Sequence, residues 1–211
     1  MDKITTLLFD IDGTVLDTRE FIIQATEHAL NTLEYPVPKR EVIEKCVGMA
    51  FPGYYQSLTG TDKDTDKLID AHRDFQYKNY NLAKLFPHAL ETLQKLKEKG
   101  YKMAAVTTRS KKTSHQTLID ADIFDLFDVV ISNEDASELK PHPAPLLKAL
   151  ELMRRLPENA VMIGDSHLDI QAGKNAGTKT IRAAYGFHTD HLHDPEPDFI
   201  IEDIKDLLTL L

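Results

Sequence analysis

The sequence predicts an α/β protein, a doubly wound parallel sheet with a small helical domain inserted after its first strand, and three observations carry that prediction. The apolar run Leu7-Leu8-Phe9 feeds directly into Asp10-Ile11-Asp12-Gly13-Thr14, the pattern of a strand buried on both faces that opens into a tight loop. Beyond about residue 85, strand-length apolar runs alternate with helix-length amphipathic stretches, the chain order of parallel units joined by right-handed crossovers. Between Thr18 and Leu82, by contrast, only helical periodicity is present.

Size and composition agree with this architecture. A chain of 211 residues holds one core of ~130 to 150 residues and a smaller module. The expected division is a core of residues 1–17 and 84–211 with a helical module of residues 18–83. Hydrophobic and charged fractions of 42% and 28% point to a globular chain rather than a disordered or fibrous one. A net charge of −9 argues against nucleic acid as a partner, because that binding depends on Lys and Arg contacts to phosphates. No apolar run reaches the ~18 to 20 residues of a membrane span, and Met1-Asp2-Lys3-Ile4 carries no signal-peptide pattern. A cytoplasmic protein without a membrane partner is therefore expected. Cys46 is the single cysteine, which excludes an intrachain disulfide or thiolate cluster; within Val42-Ile43-Glu44-Lys45-Cys46-Val47 it reads as a buried helical thiol.

In chain order, Thr18 is placed to cap a helix whose apolar positions are Phe21, Ile22, Ala25, Ala29, Leu30 and Leu33. Pro36 and Pro38 end it, and Pro38 suits the first turn of a second helix through Val42, Ile43 and Val47 that stops at Gly48. Phe51-Pro52-Gly53-Tyr54-Tyr55 reads as a turn into a short segment ending at Gly60, and a polar helix follows from about Asp62 to Tyr80 with Leu68, Ile69, His72 and Phe75 inward. Pro87 opens a helix with Leu90, Leu93 and Leu96 inward and Gly100 as its stop. A strand over Tyr101–Val106 ends in Thr107-Thr108-Arg109-Ser110; a helix over about Lys111–Ala121 leads to a strand over Asp128–Ile131. Lys140-Pro141-His142-Pro143 precedes a helix through Leu146, Leu147 and Leu150. Ala160–Ile163 is a strand closing on Gly164-Asp165-Ser166-His167-Leu168-Asp169, with a helix ending at Gly177, and short strands over Lys179–Ala183 and Asp198–Ile201 precede a terminal helix over Leu207–Leu211.

If these strands are parallel, their carboxyl ends share one rim. Asp10, Asp12, Thr107, Lys140, Asp165 and Asp169 then converge where open α/β sheets bind ligands. Like-charged carboxylates so close together call for a divalent cation or a raised pKa. Individual residues also have simpler readings: Thr107 can cap the following helix, Ser166-x-x-Asp169 matches a capping box, Lys140 can be a loop charge, and Arg109 reads as solvent-facing. His188, His191 and His193 lie in a Gly- and Pro-flanked loop without a fixed scaffold, so no metal site is expected there, although Gly186-Phe187-His188 can border the active site.

These residues resemble the four motifs of the haloacid dehalogenase superfamily of aspartate-nucleophile phosphatases, over nearly the whole chain. Asp10 and Asp12 match the first motif Asp-x-Asp-Gly-Thr, Thr107 the second, Lys140 the third, and Asp165 with Asp169 the Gly-Asp-x-x-x-Asp fourth. The resemblance implies a Rossmann-like core with a helical cap. It implies Asp10 as nucleophile, Asp12 as general acid and base, and substrate-binding Thr107, Thr108 and Lys140. It also implies Mg²⁺ held by the Asp10 carboxylate, the Asp12 main-chain carbonyl and Asp165, with Asp169 binding directly or through water. An acid at position 12 separates phosphatases and phosphomutases from the dehalogenases. The insertion's length and the tail Ala184-Tyr185-Gly186-Phe187 are most similar to the phosphoglycolate phosphatase group and a bacterial pyrophosphatase group, which implies a small phosphorylated substrate. A sugar phosphomutase shares all four motifs and remains the alternative. A receiver-type signalling module is a remote one, being shorter and lacking an Asp-x-Asp followed by such an insertion. Neither the individual substrate nor an oligomeric state is written in these motifs.

Overall fold

The strands, in chain order, are β1 (Thr6–Phe9), β2 (Leu16–Asp17), β3 (Lys84–Leu85), β4 (Lys102–Val106), β5 (Val129–Ile131), β6 (Ala160–Gly164), β7 (Lys179–Ala183) and β8 (Phe199–Ile201). The helices are α1 (Arg19–Thr32), α2 (Arg40–Cys46), α3 (Gly53–Thr59), α4 (Thr65–Lys78), α5 (Ala89–Glu98), α6 (Lys111–Asp120), α7 (Ala144–Met153), α8 (His167–Ala176) and α9 (Leu207–Leu210). They come from a computed structural model that describes residues 4–188 and 193–211.

β1 is buried along its whole length because both faces of the sheet are covered. Side chains alternate along a strand, so Leu7 and Phe9 enter one apolar cluster with Leu93, Leu96 and Leu118, while Leu8 enters another with Leu146, Ala149 and Ala172. α5, α6 and α9 thus cover one face, and α7 and α8 the other.

Six strands form a fully parallel sheet in the order β5-β4-β1-β6-β7-β8. The chain winds outward from β1 through β4 to β5, then returns to the opposite side of β1 with β6. β1 and β6 therefore flank the point where strand order reverses, the position at which such sheets open a crevice for ligands. Phe9 is in register with Ala105 of β4 and Ile163 of β6, which brings Asp10, the Thr107 loop and the Gly164-Asp165 loop to one level of the rim. The α/β class and the parallel order are those expected.

The chain separates into two compact units, Met1–Asp17 with Lys84–Leu211, and Thr18–Ala83. In the second unit α1 and α4 pack together around Ile23, Leu30, Ile43, Cys46, Tyr54, Tyr55, Leu68 and Ile69. Cys46 is buried there as a helical thiol. Three features differ from the sequence reading. The segment after Pro52 is helix α3, because both tyrosines pack into the cluster and their hydroxyls reach Thr26 and His72, at 2.7 Å and 2.8 Å. β2 and β3 pair antiparallel through two residues each, too short to leave a periodic signal. Thr18 occupies the N-cap position of α1 but makes no side-chain cap bond and is fully buried. Among the described residues no helix is long and apolar enough to cross a membrane.

Candidate active site

Asp10 is the first residue beyond β1, and its N–H still donates to Ile163 O at 2.9 Å, which fixes the carboxylate at the strand end. Lys140 Nζ donates to Asp10 Oδ1 and Asp169 Oδ1, each at 2.6 Å, and to Val106 O at 3.0 Å. An ammonium has three donors, and all three are engaged. Lys140 is consequently buried, not the exposed loop charge that lysine usually is. Burial alone would depress its pKa; Asp10 and Asp169 outweigh that and raise it, so it stays an ammonium.

Crowded acids surround that one lysine. Burial pushes the Asp10 carboxyl well above the usual range, Lys140 draws it down, and Asp169, Asp12 and Asp165 push it up again. Asp165 is pushed up to about 7, first by burial and then by Asp169, against the N–H bonds it receives from Phe187 (2.7 Å) and His188 (3.4 Å). Backbone packs directly on this carboxylate. A Cβ on Gly13, whose φ is +78°, would lie 2.3 Å from Asp165 Oδ2, and one on Gly186 would lie 2.2 Å from Asp165 Cβ and 2.4 Å from Gly13 O. Both positions need glycine for close approach.

Asp10, Asp165 and Asp169 bring carboxylate oxygens within 4.8 Å of one another. A buried set of hard oxygen donors, with the Asp10 and Asp165 carboxyls pushed up by burial, fits a divalent cation such as Mg²⁺, whose charge would stand in for the protons those two acids otherwise favour. Asp169 has other work as well. Its Oδ2 accepts from Ser166 N at 3.1 Å and Ser166 Oγ at 2.5 Å, so the capping box exists and one carboxylate serves helix terminus and acid cluster together.

Asp12 turns away from this trio. Arg109 grips it with a two-pronged contact, Nε to Oδ2 and Nη2 to Oδ1, both at 2.7 Å, and also donates from Nη1 to Thr117 Oγ1 at 3.1 Å. The expectation of a solvent-facing Arg109 is therefore wrong: its side chain is only 8% exposed. Pairing with an acid 97 residues earlier overrode the loop-charge default. Thr107 is not a helix cap, since Ser110 caps α6; its Oγ1 accepts the Arg109 N–H at 3.2 Å. Thr108 is half-buried on the same loop.

Arg182 was not singled out by the sequence reading. Its signal was a charge inside an apolar strand, Thr180-Ile181-Arg182-Ala183. The side chain is 1% exposed, donates from Nη2 to His188 O at 2.9 Å, and lends its charge to the Asp165 side of the cluster. His188 thus enters the site by its main chain, donating to Asp165 and accepting from Arg182. His191 lies outside the described residues.

The family profile described as haloacid dehalogenase-like hydrolase matches residues 7–183. A protein of Bacillus cereus (strain Q1) named pyrophosphatase PpaX is 38% identical, over 99% of this chain and 97% of that one. A Bacillus anthracis protein of the same name is 37% identical over the same shares. Among solved structures, a protein of Haemophilus somnus 129pt described as a predicted phosphoglycolate phosphatase superposes with a TM-score of 0.94 at 25% identity, covering 100% of this chain and 99% of that one. A haloacid dehalogenase-like family protein of Streptococcus pneumoniae has a TM-score of 0.90 at 24% identity, with coverage of 100% and 99%, and shares the fold.

Proposed function

Because this chain belongs to the haloacid dehalogenase-like hydrolases, we propose that it is a Mg²⁺-dependent phosphatase that hydrolyses a small phosphorylated metabolite through an aspartyl phosphate, with pyrophosphate or phosphoglycolate as substrate. The observation that carries this reading is the buried Lys140 bound to both Asp10 and Asp169 beside Asp165, at the rim where β1 and β6 part. The relatives' names support the choice of substrate.

In this reading an Asp10 carboxylate oxygen attacks phosphorus in line, forming the acyl phosphate as the bond to the leaving oxygen breaks. Asp12 protonates that oxygen, then accepts a proton from the water that cleaves the acyl phosphate and releases inorganic phosphate. Lys140 holds Asp10 in line and offsets charge on the transferring group, and the Thr107 loop binds its oxygens. Asp10, Asp165 and the Asp12 carbonyl would hold Mg²⁺, with Asp169 direct or through water, and the bound ion would supply further charge neutralisation. Residues 18–83, which depart after β2 and return at β3 just past the Asp10–Asp12 loop, are assigned the role of a substrate-selecting cap.

Released phosphate measured across pyrophosphate, phosphoglycolate, a hexose phosphate and a phosphopeptide tests this. The first two are expected to lead, and EDTA is expected to silence turnover. A product that is an isomeric sugar phosphate, with no free phosphate, would replace this reading with the phosphomutase one.

Metal binding should also be pH-linked. Asp165 has its pKa raised to about 7 in the folded chain. It therefore favours the metal-free fold most below the ordinary carboxylate pKa, and that contribution is lost as pH rises through about 7. Mg²⁺ must displace this proton, so the Mg²⁺ concentration that half-stabilises the protein in thermal melts should fall by up to ~10-fold per pH unit and level off above neutrality. A midpoint independent of pH would exclude Asp165 as a ligand.

A further inference from the structure

Arg109 carries a permanent positive charge on the same rim as the acid cluster, yet it faces Asp12 and not Asp10. We propose that Arg109 is a specificity-determining residue: its guanidinium takes a second anionic group of the substrate, a phosphate or carboxylate on the leaving-group side of the scissile P–O bond. The proposal rests on the phosphatase reading, in which Asp12 stands at the leaving oxygen.

Three observations lead to it. First, the Nε and Nη2 edge holds both Asp12 oxygens at 2.7 Å, and that two-pronged geometry suits a phosphate as well as a carboxylate, so a substrate anion arriving beside Asp12 competes with Asp12 for the same fork. Second, the fork is anchored from behind. Nη1 donates to Thr117 Oγ1 at 3.1 Å, the Thr117 hydroxyl in turn donates to Thr113 O at 2.7 Å on α6, and the Arg109 N–H is held by Thr107 Oγ1 at 3.2 Å. Such anchoring limits the ordering cost of binding. Third, Lys140 has no proton to spare for a further anion, because Asp10, Asp169 and Val106 take all three. The charges thus divide the work, Lys140 on the nucleophile and Arg109 on the leaving side.

While Arg109 grips Asp12, both carboxylate oxygens are engaged as acceptors. A substrate anion that shares the guanidinium loosens that grip and frees an Asp12 oxygen for the leaving group. Substrates with a second charge are therefore selected at two points, in binding and in the release of Asp12.

The test measures kcat/KM at saturating Mg²⁺ for wild type, Arg109→Gln and Arg109→Lys on pyrophosphate, phosphoglycolate, an uncharged-alcohol alkyl phosphate and an aryl phosphate. Arg109→Gln is expected to lose on the order of 10²-fold more on pyrophosphate and phosphoglycolate than on either monoester, largely in KM, with Arg109→Lys recovering part of that ratio. A residue that merely positions Asp12 gives a different pattern, the largest loss falling on the alkyl phosphate, whose leaving group most needs a proton. That pattern, or equal losses on all four, overturns the proposal. Wild-type enzyme that releases phosphate from none of the four would instead defeat the phosphatase reading itself. Melting curves keep the comparison to folded protein, and the lysine variant serves if the glutamine one does not fold.

Discussion

Asp10→Asn is expected to lower kcat by at least ~10⁴-fold while leaving the fold intact, since the amide is nearly isosteric but cannot form an acyl phosphate. The structural part of this expectation comes from the bonds around residue 10. An amide oxygen can still accept the Lys140 proton that now goes to Oδ1, and the main-chain N–H to Ile163 O is untouched. The substitution also removes one carboxyl from a site where burial and three neighbouring acids already disfavour its charge. Thermal stability should therefore match or exceed that of the wild type. Rapid acid quench followed by hydroxylamine should trap an acyl phosphate on wild type and none on the variant. A folded variant with near-normal turnover would remove Asp10 from the covalent step.

Lys140→Met should be almost as severe for activity and far worse for stability. Methionine fills the volume but leaves Asp10, Asp169 and the Val106 carbonyl without the donor they share. Removing one partner of a buried ion pair costs about 3 to 5 kcal/mol, because the remaining charge stays buried and uncompensated. In a chain of this size that corresponds to a Tm lower by roughly 10 °C. The sign with pH follows from the same physics. Without the ammonium, which draws the Asp10 carboxyl down, the folded-state pKa of Asp10 rises further, so the variant binds more protons folded than unfolded and its deficit eases in acid and deepens above neutrality. Added Mg²⁺ should restore part of the loss, since a divalent cation can offset the same carboxylates. Melting curves across pH and Mg²⁺ measure all three effects, and a Tm unchanged at neutral pH would contradict the Lys140 bonding described above.

Two scales of information separate in this protein. Local pattern carried the architecture: the unbroken apolar run Leu7–Phe9 requires cover on both faces, which only a parallel sheet between helix layers provides, and successive strands of such a sheet bring Asp10, Thr107 and Asp165 to one rim whatever the loops do. Gly13 was legible for the same reason, as part of a tight strand-to-loop turn, although its need for glycine comes from the Asp165 carboxylate lying where a Cβ would go. Helix α3 and the β2–β3 pair were not legible, because seven and two residues are too few for periodicity and their stability comes from what they pack or pair with.

Motif order and strand ends alone place two carboxylates, a hydroxyl, a lysine and two more acids on an edge of one sheet. How their charges pair depends on contacts between distant parts of the folded chain. Lys140 reaches an acid 130 residues earlier and Arg109 one 97 residues earlier. Arg182 settles behind Asp165 although nothing in its own strand calls for a cation. A charged side chain defaults to solvent in any local reading, because the cost of burying it is local while the compensating charge arrives from another part of the chain. Strand ends are therefore readable from residues 7 to 9, and ion-pair partners only from the folded sheet.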